Sequence, residues 1–207
     1  MTTVTPSTRN RRKVLAVLAG GLVLGVGAAI TLAAWNDSEF ATGTFTAGSF
    51  NLEGSTTSAV NGFSNHNVTK GDTAAGLTFS APFSNLTPGD VLYAPFWVRL
   101  DSTTTSNASL VASTGAGTGA NAANISYEVY SIAAAATCDS SATAGTLVAS
   151  GDDLTAFTAG SSIPLAKGAT AGTAGTAAQL CFVATAKSSL AQGVSATGTW
   201  SFTATSN

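Results

Sequence analysis

Apolar and polar positions alternate with period two at several places along the chain. Phe50 and Leu52 flank Asn51, and Leu77, Phe79 and Ala81 flank Thr78 and Ser80. Phe96, Val98 and Leu100 share one phase, with Trp97 and Arg99 in the other. Ile125, Tyr127 and Val129 oppose Ser126, Glu128 and Tyr130, and Trp200, Phe202 and Ala204 oppose Thr199, Ser201 and Thr203. Successive side chains of a strand point to opposite faces, so each run predicts a strand with one buried and one polar face. The threonine-rich outer phases suit this, because β-branched side chains fit a pleated surface. Pro88-Gly89 combines the fixed φ and the permissive φ that a type II turn requires.

Beyond Ala34 no stretch keeps a 3.6-residue apolar period for more than two turns; residues 152–160 and 188–193 read at most as short helical turns. Many short strands with glycine-rich connections predict an all-β chain, a single antiparallel sandwich or barrel with no second domain. Residues 102–109, 113–124 and 168–178 are almost entirely small or polar, and are expected to be mobile loops because they bury too little area to offset ordering.

The first segment has a different pattern. Arg9, Arg11, Arg12 and Lys13 precede an uncharged, strongly apolar run over residues 14–34. A cationic stretch ahead of an apolar run is the secretory signal pattern. The run is also long enough to span a bilayer, so a retained anchor is the competing reading. Gly20, Gly21, Gly25 and Gly27 weaken it as a permanent helix, and Ala33-Ala34 offers a cleavage site just before the polar Asn36–Glu39. The chain then divides into a signal peptide over 1–34 and an exported domain over 35–207. Leu32, third from a cut after Ala34, departs from the small-x-small rule; a cut after Ala33 would put Thr31 there instead.

Charge sharpens this division. The 207 residues include only 8 Lys and Arg against 10 Asp and Glu, and half of the basic residues sit in that first cluster. The exported part keeps four basic and ten acidic residues, which argues against a nucleic-acid partner. With 44% hydrophobic residues the chain is too apolar for a disordered tail. Its two cysteines, Cys138 and Cys181, both lie in the exported part. An even pair outside the cytoplasm points to a disulfide, worth roughly 4 kcal/mol in the chain-entropy view; two buried thiols are the alternative.

Three patches carry a family resemblance. Leu32-Ala33-Ala34-Trp35-Asn36-Asp37-Ser38, followed by Ala41 through Leu52, resembles the signal junction and first strand of the TasA/camelysin family. Asn85-Leu86-Thr87-Pro88-Gly89-Asp90 is similar to a turn of that family, and Leu180–Val183 with Thr199–Ala204 is similar to its closing strands. The resemblance implies a jelly-roll-like sandwich, export through a SipW-type signal peptidase, and a place at the cell surface or in a biofilm matrix.

Camelysin-type relatives are described as metallo-endopeptidases, which raises a third reading. Zinc hydrolysis needs three protein ligands and an open position. Here the one histidine is His66, with no His-Glu-x-x-His, so no metal site and no cofactor is expected. Gly62-Phe63-Ser64-Asn65-His66 begins like a nucleophile elbow but lacks the closing glycine, and His66 reads as a solvated loop residue. Gly115-Ala116-Gly117-Thr118-Gly119-Ala120 matches G-x-G-x-x-A without a following helical period, and reads as a flexible loop with no dinucleotide. Asp152-Asp153 and the Asp37/Glu39 pair supply too few oxygens for calcium and read as surface turns. Asn-x-Ser/Thr sequons such as Asn67-Val68-Thr69, Asn85-Leu86-Thr87, Asn107-Ala108-Ser109 and Asn124-Ile125-Ser126 are of the kind that arise by chance in so Ser/Thr-rich a chain.

The expected function is therefore non-enzymatic, with no small-molecule substrate: a secreted structural subunit that pairs with itself or with other matrix proteins. A monomeric adhesion module working through its long loops is the second reading. In the first, Trp35, Phe40 and Phe45 punctuate a polar N-terminal segment that could be donated to a neighbour's sheet. Mass spectrometry of culture supernatant checks the export step. The expected N-terminus is Trp35; an intact, membrane-bound chain keeping residues 1–34 is the opposite outcome.

Overall fold

The computed structural model describes residues 8–30, 38–81 and 84–207. The chain forms two units, divided between Phe45 and Thr46. The first contains helix α1, Thr8–Ile30, which continues through all four glycines of the apolar run. Among the described residues no helix is long and apolar enough to cross a membrane.

The second unit is an all-β sandwich. Its strands are β1 (Leu52–Ser55), β2 (Val91–Leu100), β3 (Ala108–Thr118), β4 (Ile125–Ile132), β5 (Thr146–Gly151), β6 (Thr158–Ala159), β7 (Ile163–Leu165), β8 (Ala178–Ala186) and β9 (Thr197–Ser206). One sheet has six strands in the order β1-β2-β8-β4-β5-β6 and the other has three, β7-β3-β9. Every pairing between strands is antiparallel. The chain crosses between sheets from β2 to β3 to β4 and again from β6 through β9, in a jelly-roll-like arrangement.

The predicted alternation sets the core. Ala94, Val98 and Leu100 of β2, Tyr127 and Val129 of β4, and Leu180 and Phe182 of β8 face Leu110 and Ala112 of β3 and Ile163 and Leu165 of β7. From β9, Trp200 and Phe202 reach across to the large sheet. The Trp200 ring lies 5.3 Å from Tyr127 and 5.0 Å from Phe182, and Phe202 lies 6.0 Å from Phe182, nearly edge-on. Such aromatic pairs add roughly 0.5–1.5 kcal/mol beyond their buried area. The expected turn is present: Asp90 N–H donates to Thr87 O at 3.1 Å and Gly89 has φ of 96°.

A second, smaller cluster lies on the outer face of the large sheet, where Tyr130, Ala142, Cys181 and Val183 pack under the connection from β4 to β5. Cys138 on that connection is bonded to Cys181, with Cα atoms 5.3 Å apart, so the disulfide alternative is the one realised. Trp97 Nε1 donates to Ala134 O at 2.9 Å, and the Gln179 amide donates to Ala133 O and Ala136 O at 3.1 and 2.9 Å. The connection is thus stapled to β8 and β2 at three neighbouring points. This explains how a segment rich in alanine stays seated on a sheet.

Four expectations fail. Residues 77–81 form no strand, although Leu77 and Phe79 pack against the core. Ser80 N–H bonds Tyr93 O at 2.9 Å, but the returning bond from Tyr93 N–H goes to Ser80 Oγ at 3.0 Å, so a side chain ends the ladder after one rung. Residues 152–160 make a turn around Asp153, whose Oδ1 accepts from Thr155 N and Ala156 N at 2.7 and 3.0 Å, and then enter β6. Residues 188–193 hold only turns, drawn in by Asn121, which bonds both Ala191 N and Ala191 O. Finally, Ser113–Thr118 is not loop but the second half of β3: Ser113 sits at a bulge and Thr114–Thr118 pair with β9.

Two glycines explain that last error. A Cβ on Gly115 would lie 2.5 Å from Tyr127 Oη, and one on Gly117 would lie 2.7 Å from the Leu154 carbonyl carbon. The small residues are required where the large sheet's aromatic and the 152–157 turn press against β3. Gly117→Val is accordingly expected to destabilise the sandwich by about 1–3 kcal/mol, measured by urea unfolding. An unchanged midpoint would remove this explanation.

Candidate functional site

The candidate site is the N-terminal segment together with the edges of the two sheets. Residues 38–48 belong to no strand. Phe40 and Phe45 are 95% and 97% exposed, among the most solvent-facing aromatics of the described residues. Ala34 and Trp35, the expected cleavage site and first anchor, lie outside the described residues, as does Asp37.

The segment has a fixed root. Ser49 makes an isolated bridge to Thr104, and Ser49 O accepts from Thr105 N–H at 3.0 Å, while Ser49 Oγ donates to Thr103 O. Asn51 N–H donates to Thr104 Oγ1 at 2.9 Å and Asn51 Nδ2 donates to Asp101 at 3.2 Å. Asp101 also accepts from the Thr104 hydroxyl at 2.8 Å and from Thr103 N–H at 3.0 Å. Residues 102–107, expected to be mobile, are therefore a hydrogen-bonded turn. Partial burial tends to raise the Asp101 pKa, but the bonds from Thr104, Thr103 and Asn51 outweigh it and hold the carboxyl below its ordinary 3.8.

Sheet edges differ in how well they are closed. β1, at one edge of the large sheet, has four residues, and Ser64 bridges it: Gly54 N–H donates to Ser64 O at 3.0 Å and Ser64 N–H to Gly54 O at 2.9 Å. Arg99 pairs with Glu53 at 2.6 Å and lies 3.8 Å over the Phe63 ring, clamping the same loop. β6 at the other edge has two residues. In the small sheet, β7 has three residues, the middle one Pro164, which has no N–H to offer. β9 is different: it has ten residues and is an edge strand along its length.

His66, a half-buried loop residue, also takes part in the β1 closure. Its Nδ1 lies 3.1 Å from Thr73 O, which can only accept, so Nδ1 carries the proton. Nε2 then accepts from Ser64 Oγ at 3.1 Å. The pair has the polarity of a serine–histidine dyad. Ser64 sits, however, in an extended bridge whose backbone is engaged with Gly54, not on the strand-to-helix turn that presents a nucleophile. Its visible work is to seat the loop on β1. The sequence held the signal for this latch, two polar residues in the same phase, but not the distant Thr73 that sets the tautomer.

Asp153 caps its own turn, and Thr155 hydrogen bonds hold its carboxyl below the ordinary value. Asp152-Asp153 is a surface turn as expected. Among the described residues no group of three His, Cys, Asp or Glu side chains converges in the manner of a metal site. Comparison with protein-family models finds no match, and comparison with curated proteins finds none either.

The depressed Asp101 pKa has a defined sign. Stability from this carboxylate is present above the unfolded pKa and is lost as pH falls through the lower folded one. Asp101→Asn is expected to cost about 1–2 kcal/mol at neutral pH, with the gap to the native protein narrowing below about pH 4. Urea melts at pH 7 and pH 3 check this; equal gaps at both would show that the charge contributes nothing.

Proposed function

We propose that the chain is a secreted, non-enzymatic structural protein of the cell surface or biofilm matrix, similar to the TasA/camelysin family, that assembles by donating its N-terminal segment. The observation that carries this reading is the state of residues 38–48: a stretch outside every strand, with Phe40 and Phe45 exposed, leading out of a firmly hydrogen-bonded root. Each large apolar side chain left in water forgoes roughly 1.5–3 kcal/mol that burial in a neighbour would supply.

In this reading α1 and the residues after it serve as a signal peptide removed by a SipW-type peptidase between Ala34 and Trp35. While it is attached, membrane tethering keeps the segment from a neighbour's sheet, so cleavage is the assembly step and fibres form only outside the cell. A head-to-tail contact of this kind does not close on itself and yields filaments. The disulfide supports the extracytoplasmic setting, because such bonds persist where thiols are oxidised.

Strand geometry refines the roles of the aromatics. Phe40 and Phe45 are an odd number of residues apart, so in a regular strand they point to opposite faces. Phe45 shares a face with Ala41, Gly43 and Ala47, and by the same parity with Trp35; Phe40 falls among Thr42, Thr44 and Thr46. Phe45 and Trp35 are thus the buried anchors and Phe40 is an outer-face residue.

Electron microscopy of two purified proteins tests the proposal, one starting at Trp35 and one at Gly48, with folding checked by circular dichroism. The longer protein is expected to form concentration-dependent fibres and the shorter none. Equal fibre formation by both would end the donor-segment reading.

A further inference from the structure

We infer that the outer edge of β9 is the docking surface for a second copy of this chain, which adds its residues 40–47 as a fourth strand of the small sheet. This rests on the self-assembly reading above and names the surface that receives the segment.

The case begins with how edges are normally managed. An edge strand exposes a row of backbone donors and acceptors, and proteins blunt it with short strands, prolines, charges or a covering loop. Here β1 is covered by Ser64, β6 is two residues long, and β7 is short and contains Pro164. β9 has none of these devices. Its ten residues, Thr-Gly-Thr-Trp-Ser-Phe-Thr-Ala-Thr-Ser, include no charge and no proline. Among the described strands it is the longest of those at the end of a sheet.

The layer geometry points the same way. Six strands on one side are faced by three on the other, and β9 is the last of the three. The inward residues of the flanking β3, Leu110 and Ala112, are buried, whereas Trp200, Phe202 and Ala204 of β9 are only partly buried although they pack on the same core. A further strand beside β9 would cover their open flank and part of the large sheet beyond it.

The occupant follows from complementarity of pattern. β9 alternates Trp200, Phe202 and Ala204 inward with Thr199, Ser201 and Thr203 outward. Residues 40–47 repeat that scheme, with Ala41, Gly43, Phe45 and Ala47 in one phase and Phe40, Thr42, Thr44 and Thr46 in the other. Eight residues of strand span about 26 Å, which fits within the length of β9. Main-chain bonds would give affinity and the Phe45 contact beside Phe202 would give register. Outer threonines facing threonines make a favourable cross-strand pairing.

Cysteine cross-linking decides the matter, since both native cysteines are already paired. Thr44→Cys is mixed in turn with Thr199→Cys, Ser201→Cys and Thr203→Cys, all in the protein starting at Trp35, and assembled samples are treated with a short thiol-specific cross-linker. At least one of the three mixtures is expected to give a heterodimer as its main covalent product, at least tenfold over either variant alone. Fibres that form with no Thr44 cross-link to any β9 position would overturn the β9 assignment while leaving the subunit reading standing. Products confined to β9 with β9 would likewise overturn it, in favour of edge-to-edge dimers. Failure of the unlabelled protein to assemble at all would overturn both.

Discussion

The wedge of Trp200 and Phe202 against Tyr127 and Phe182 is the contact on which the sandwich depends. It joins the last strand of the small sheet to two central strands of the large one, β4 and β8, with ring separations of 5.0–6.0 Å. Because these rings are large, whatever lies beside them must be small. Gly115 beneath Tyr127 and Gly117 against Leu154 are the result, and a strand that reads as a low-complexity loop is the consequence. The hydroxyl of Tyr127 is used as well, donating to Ala156 O at 2.9 Å and so fixing the turn that presses on β3. One packing choice thus sets the composition of β3, the position of the 152–157 turn and the half-open flank of β9.

The second constraint is economy of charge. With ten acidic and eight basic residues in the chain, few edges can be guarded by lysine or glutamate. The structure closes its edges by other means: a bridge from Ser64, a histidine latch, a proline, or simple brevity. Arg99 is used three ways at once, pairing Glu53, covering Phe63 and extending β2. Against that background an uncharged, ten-residue edge strand is the exception in need of a purpose.

Much of the fold could be read from period-two patterning. Parity sets the faces of β2, β4 and β9, and the core residues Val98, Leu100, Tyr127 and Val129 fall where that parity places them. The Pro88-Gly89 turn and the cysteine pair could be read for similarly local reasons. What could not be read depended on partners far along the chain. Nothing near Ser80 announces that its hydroxyl takes the Tyr93 N–H and stops a strand. Nothing near Gly115 announces Tyr127. His66 alone is a polar residue in a polar loop, and only Thr73 and Ser64 together reveal a latch. At the candidate site, exposed aromatics at Phe40 and Phe45 could be expected, but the open edge of β9 is a property of topology and has no local signature.

Backbone hydrogen exchange of the protein starting at Trp35, compared between dilute and assembled samples, bears most directly on the proposed role. Strand addition would slow those amides of Thr197–Ser206 that face away from β3, together with the amides of residues 40–47, and would leave β1, β6 and β7 as they are. Assembled material in which Thr197–Ser206 exchanges as fast as in the dilute protein, with new protection at another edge or none, would contradict it.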